Sequence, residues 1–100
     1  RDQHKFSLDA TTTNRDRYYT NIFEKVLSSA KENGIIAGAN FWAYGGLARP
    51  HKTRPFWKPG DDYMGDPGQE EQGLNSVFDT DTTMGLVKDF NQKIRFVTSK

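Results

Sequence analysis

One hundred residues make one small domain or part of a larger one, and 34% hydrophobic content with a mean hydropathy of −0.84 leaves little for a self-sufficient core. The 13% of aromatic residues does not fit disorder and suggests rings meant to be covered by something else. Fourteen basic and thirteen acidic residues, interspersed to a net charge of +1, commit no face to phosphate and argue against nucleic acid or an anionic membrane as partner.

No cysteine is present, so disulfides and thiolate metal sites are excluded. No apolar run approaches the roughly twenty residues that span a bilayer. The chain opens on Arg1-Asp2-Gln3-His4 without an initiator Met or a signal sequence, and it reads as a piece of something longer.

Polar residues 1–13 end in Thr11-Thr12-Thr13-Asn14, a run of helix-capping types. Tyr18, Tyr19, Ile22, Phe23, Val26, Leu27 and Ala30 then recur at three- and four-residue spacing. This predicts an amphipathic helix from about Asn14 to Asn33 with one wide apolar stripe. Gly34 follows at the expected C′ position, where a left-handed backbone carries no Cβ penalty.

Ile35 to Tyr44 is nearly continuous in apolar residues, interrupted only by Gly38 and Asn40. It predicts a strand covered on both faces, as in a parallel sheet. Its end delivers Trp42 and Tyr44 and then the Gly45-Gly46 pair. In parallel α/β sheets and barrels, ligands bind beyond the carboxyl ends of the strands. Trp42 therefore has two readings: an ordinary core ring, the commoner fate of a lone Trp, or a flat platform for a sugar ring.

Gly45 to Asn75 holds all four prolines and most of the glycines. It predicts a long irregular loop of the kind that usually serves as a lid or binding segment. Arg49-Pro50-His51, Phe56-Trp57-Lys58-Pro59-Gly60-Asp61-Asp62-Tyr63 and Gly65-Asp66-Pro67 interleave rings, carboxylates and a guanidinium along it. Such a mix can stack on sugars and bond their hydroxyls. Equally, Phe56 and Trp57 can plug the loop onto a barrel rim, and Asp61 and Asp62 are expected to bond turn amides. Ser76-Val77-Phe78 reads as a short extended piece, and Asp79-Thr80-Asp81-Thr82 supplies N-cap candidates. Leu86, Val87, Phe90 and Ile94 mark a second amphipathic helix to about Ile94 or Phe96, with Gly85 near its start. This order of helix, buried strand, long loop and helix fits the end of a (β/α)8 barrel, whose last strand must pair with strands seven and one.

The residues alone supply no catalytic pair. Glu70 and Glu71 are adjacent and do not approach one atom from two sides, whereas retaining glycosidases place two carboxyls about 5–5.5 Å apart. Glu24 and Glu32 read as solvated helix positions. His4 and His51 are isolated, and Asp79-Thr80-Asp81 lacks the glycine and terminal glutamate of a calcium loop, so no metal is expected. No Gly-x-Ser-x-Gly turn or phosphate loop occurs, and no cofactor is expected.

Gly38-Ala39-Asn40-Phe41-Trp42-Ala43-Tyr44-Gly45-Gly46, Arg49-Pro50, Phe56 to Tyr63, Gly65-Asp66-Pro67 and Gly73 to Asp81 nevertheless form a set. In this order and spacing they resemble the C-terminal portion of endo-β-1,4-mannanases of glycoside hydrolase family 5, over roughly residues 11–95. Thr12-Thr13-Asn14-Arg15-Asp16-Arg17-Tyr18-Tyr19 is similar to the start of that family's seventh barrel helix. The resemblance implies an α/β fold, the C-terminal part of a TIM (β/α)8 barrel. It would hold helix 7, strand 8 at about Ile35–Tyr44, the long strand 8–helix 8 loop, and helix 8 at about Thr82–Ile94. Residues 1–100 would be a C-terminal fragment of one glycoside hydrolase catalytic domain, with no second domain.

The resemblance further implies that Trp42 stacks on the −1 sugar, with Tyr44, Arg49 and Trp57 as substrate-binding residues of the cleft wall. A non-proline cis peptide is expected at Trp42–Ala43. Both catalytic glutamates are expected upstream of Arg1, leaving this chain inactive alone while its parent is a retaining mannan endo-1,4-β-mannosidase. The implied partners are β-mannan or glucomannan and the remainder of the barrel, in the same or another chain. A secreted or periplasmic location follows from a polymer too large to enter a cell. Leu47 departs from the polar or acidic residue usual there. Two other readings are a non-catalytic carbohydrate-binding module using Trp42, Trp57 and Tyr63, and a fragment of a related β-glucan-cleaving glycosidase.

Overall fold

The computed structural model describes residues 2, 10–47, 54–61 and 64–98. Four elements follow in order: α1 (Thr13–Lys31), β1 (Tyr44–Gly46), β2 (Val77–Phe78) and α2 (Thr83–Thr98). Both predicted helices are present, the second running a turn further than the spacing of its apolar residues indicated.

Helix α1 starts where the threonine run ends, but its cap comes from elsewhere. Thr12, the N-cap residue, makes no side-chain cap bond. The Asp2 carboxylate instead accepts from the amides of Thr13 (3.0 Å) and Asn14 (3.4 Å), two of the donors a helix start leaves unpaired. The Thr11 hydroxyl also donates to Asp2, at 2.6 Å, and this bond first among several holds the Asp2 carboxyl below its usual range.

The other end corrects the expected role of Gly34. The left-handed residue is Asn33, with φ of 53°. The Gly34 amide bonds to Ser29 O (2.7 Å) and the Asn33 amide to Ala30 O (3.4 Å), the pair of bonds of a Schellman ending. Gly34 is needed for space: a Cβ there would stand 2.4 Å from Ser29 Oγ, which already accepts the Ile36 amide at 3.1 Å. Gly34→Ala is therefore expected to cost about 1–3 kcal/mol through overpacking, read as a lowered melting temperature. Asn33→Ala, with an ordinary side chain at positive φ, should cost on the order of 1–2 kcal/mol.

The two helices pack through their apolar stripes. Phe23 stacks on Phe90 with centroids 4.5 Å apart and planes 11° apart, and Tyr19 meets Phe23 edge-on at 5.8 Å. Val26 is buried beside them. Their N-terminal ends are tied by a polar knot. Thr12 and Thr82 share a hydroxyl bond of 3.0 Å, and the hydroxyls of Thr82 and Thr83 both donate to the Asp16 carboxylate. Arg15 Nη1 donates to Asp81 Oδ2 at 3.1 Å, and that oxygen also accepts the Phe78 amide at 2.9 Å.

The predicted strand Ile35–Tyr44 is the main correction. Regular pairing begins only at Tyr44, and residues 32–40 are all exposed, Ile35 fully so. A strand exists by virtue of a partner. Among the described residues the partner is β2, which pairs in parallel with β1, Tyr44 opposite Val77 and Gly46 opposite Phe78. The parallel direction matches the sequence reading, as does the extended piece at 76–78. The apolar run before Tyr44 has no ladder among the described residues, and Ile35 and Ile36 stay exposed.

Beneath the strand pair, Val77 and Phe78 are the best-buried apolar side chains. The Phe78 ring lies between two glycines, where a Cβ at Gly45 would stand 2.5 Å from it and one at Gly65 2.9 Å. The long loop is built around two buried polar side chains. Asp66 accepts the amides of Gly73 (2.6 Å) and Asn75 (2.9 Å). Gln72 accepts from Gly65 (2.9 Å) and Asp66 (3.1 Å) and donates to Asp66 O (2.9 Å). Side chains thus replace the backbone ladder that this irregular stretch cannot form.

Candidate functional site

The chain from Ala39 to Trp42 runs beside α1, and a groove of about 680 Å³ lies between them. Alternate residues take opposite fates there. Phe41 turns into the helix cluster, 5.9 Å from the Tyr19 ring, while Trp42 is left 70% exposed at the groove. Trp42 is thus no core ring among the described residues. Tyr18, Asn40 and Asn75 line the same groove, so it offers rings and amide groups together. Burial raises the Tyr19 phenol above its usual range, opposed in part by Arg15. The Trp42–Ala43 peptide bond is cis, as the resemblance implies.

Tyr44 opens β1 and is 59% exposed. Its phenol donates to Asp79 Oδ1, and this bond, followed by desolvation, holds the phenol above its ordinary value of 10.0. The neutral phenol is the bonded form. The contribution of the bond is therefore complete below pH 10 and fades as pH rises through the higher folded value.

Trp57 is half-buried. A Cβ at Gly68 would stand 3.4 Å from its Cε3 atom, so the indole lies against that glycine. Its loop is clasped by Arg54, which donates to both carboxylate oxygens of Asp61 at 2.8 and 2.6 Å and to Phe56 O at 2.7 Å. Asp61 accepts the Lys58 amide at 2.9 Å, the turn-bonding role expected for it, while the pairing with Arg54 was not legible. Phe56 bridges Glu71 in antiparallel fashion. Among the described residues Trp57 and Asp61 therefore pack and bond within the loop itself.

Trp42 thus precedes β1 and Tyr44 opens it, so both stand at the amino end of the paired strand and not at the far end expected, and no ring contact among the described residues joins either to Trp57. Arg49, along with His4, His51, Asp62 and Tyr63, lies outside the described residues. Asp79, the partner of the Tyr44 phenol, is the contact that sequence reasoning missed. It follows the extended piece 76–78 directly, where the rule that ligands meet strand ends could find it, although its run of capping types also marks it as an N-cap candidate.

Among the described residues the four glutamates do not converge as an acid/base pair. Glu24 and Glu32 are exposed on and just after α1, and Glu70 and Glu71 are adjacent in the loop. Among the described residues no group of histidines and carboxylates could hold a metal, and no helix is long and apolar enough to cross a membrane.

A family model described as glycoside hydrolase family 5 beta-mannosidase-like matches residues 1–99. No curated protein matches the chain. Among solved structures, a mutant of the glycoside hydrolase family 5 mannosidase from Rhizomucor miehei is similar, at 34% identity and a TM-score of 0.76. That likeness covers 98% of this chain and 23% of the other. A further structure of the glycoside hydrolase family 5 mannosidase from Rhizomucor miehei shares 36% identity and a TM-score of 0.73, over 91% of this chain and 21% of that one. The chain spans less than a quarter of the solved chains it matches. Since the family pattern runs unbroken through both helices, the strand pair and the loop between them, the chain belongs to the beta-mannosidase-like proteins of glycoside hydrolase family 5.

Proposed function

We propose that this chain forms the last part of the (β/α)8 barrel of a retaining endo-β-1,4-mannanase acting on β-mannan or glucomannan. In this reading α1 is helix 7, β1 lies in strand 8, and α2 is helix 8. The observation that carries it is Trp42: an indole 70% exposed at the end of the apolar run that leads into β1, while its neighbour Phe41 is turned inward. The exposed Ile35 and Ile36 support the same placement, because a strand of a closed barrel has its outer face covered by helices and its inner face by the packed interior.

Trp42 then holds the sugar at the −1 position by stacking, and Tyr44, Arg49 and Trp57 shape the cleft wall. The two carboxyls of double displacement come from the rest of the barrel, since the four glutamates of this sequence do not converge. The partner of this segment is that remainder, and a polymeric substrate favours a secreted or periplasmic setting.

The test uses the full-length protein with β-mannan. A ladder of manno-oligosaccharides is expected. Mannose alone as product would replace the endo reading with an exo one, preferential cleavage of β-glucan would replace the substrate, and binding without cleavage would make it a carbohydrate-binding protein. Trp42→Ala is expected to lower kcat/KM by roughly 5–30-fold, from about 1–2 kcal/mol of ring stacking, with the melting temperature held within a few degrees. Collapse of stability with normal turnover in the surviving molecules would make Trp42 a packing residue.

A further inference from the structure

Tyr44 opens β1 opposite Val77, and Asp79 directly follows Phe78, the last residue of the parallel β2, so the phenol reaches along the strand pair to meet it. Both are exposed, and the phenol donates its one hydrogen to Asp79 Oδ1. The strands do not need this bond. Backbone bonds already join them, Val77 N–H to Ala43 O at 2.7 Å and Asp79 N–H to Gly46 O at 2.8 Å.

With its proton committed, the phenol can only accept from a ligand. An ionised carboxylate likewise only accepts, and Asp79 Oδ2 takes no hydrogen bond from any described residue. We infer that Tyr44 and Asp79 form one acceptor-only unit that receives hydroxyl hydrogens of a neutral sugar unit of the substrate, Asp79 binding the sugar directly and fixing the phenol beside it. The inference rests on the reading of the protein as a β-mannoside hydrolase. Such an edge suits polyol hydroxyls, which are donors, and disfavours uronate carboxylates through like-charge repulsion.

The experiment compares Tyr44→Phe, Asp79→Asn and their double variant in the full-length protein on neutral manno-oligosaccharides. Each single change is expected to raise KM about 5–10-fold, the size of one lost hydrogen bond, with kcat within about twofold. The double variant should be little worse than the worse single one, because either change dismantles the unit. Asp79→Asn should also narrow the preference for neutral over uronate-bearing oligosaccharides. Melting temperatures should stay within about 3 °C, since the backbone pairing persists.

Unchanged KM in both single variants, or a fall in melting temperature with KM intact, would overturn the inference and leave the pair as a structural clasp. The two levels separate cleanly. A wild type that neither binds nor cleaves mannan overturns both readings. A wild type that cleaves mannan and suffers from Trp42→Ala, yet tolerates Tyr44→Phe and Asp79→Asn, overturns this one alone.

Discussion

Asp81→Asn is expected to destabilise the full-length protein by about 3–5 kcal/mol, the cost of stripping one partner from a buried ion pair. Arg15 and Asp81 side chains are only 9% and 3% exposed, so the guanidinium left behind has little water to turn to. Arg15 Nη2 also reaches Gly73 O at 3.4 Å, and Asp81 accepts the Phe78 amide, so the pair links α1, the loop and the start of α2. The double variant Arg15→Met/Asp81→Asn should recover much of the loss, because it leaves no unpaired buried charge. Urea midpoints of the unchanged protein, Arg15→Met, Asp81→Asn and the double variant give the coupling directly. A loss below about 1 kcal/mol for Asp81→Asn would mean that the pair behaves as a screened surface contact.

Phe78→Ala is the second large effect, again about 3–5 kcal/mol, since the ring is 1% exposed and its removal leaves a cavity between Gly45 and Gly65. The two glycines are the other half of the same contact. Gly45→Ala should cost about 1–3 kcal/mol by itself, because the new Cβ would meet Phe78 Cε1 at 2.5 Å. Combined with Phe78→Leu it should cost less than the sum, the shorter side chain making room for the methyl group. Strict additivity would show that ring and glycine do not share the space. The consequence reaches the site, because this packing holds the β1 end that presents Tyr44 beside Asp79.

The helices were legible because their signal is local. Tyr19, Phe23 and Val26 lie one turn apart on one face, and that face is the one that meets Phe90. Asp61 bonding a turn amide was legible for the same reason, its partner Lys58 being three residues away. The cap on α1 was not, since Asp2 acts from eleven residues before the first amide it accepts. The role of Asp79 depends on Tyr44, thirty-five residues earlier in the chain.

Sequence by itself determined what periodicity and residue type decide: two amphipathic helices, an apolar extended segment ending in Trp42 and Tyr44, a loop rich in turn residues, and the family to which these belong. Tertiary structure decided which part of that segment is a strand, because a ladder needs a partner and β2 reaches only Tyr44 to Gly46. It also decided that Phe41 packs and Trp42 does not, and that Asp79 faces the phenol. Those outcomes depend on distances between residues far apart in the chain, and no local spacing encodes them.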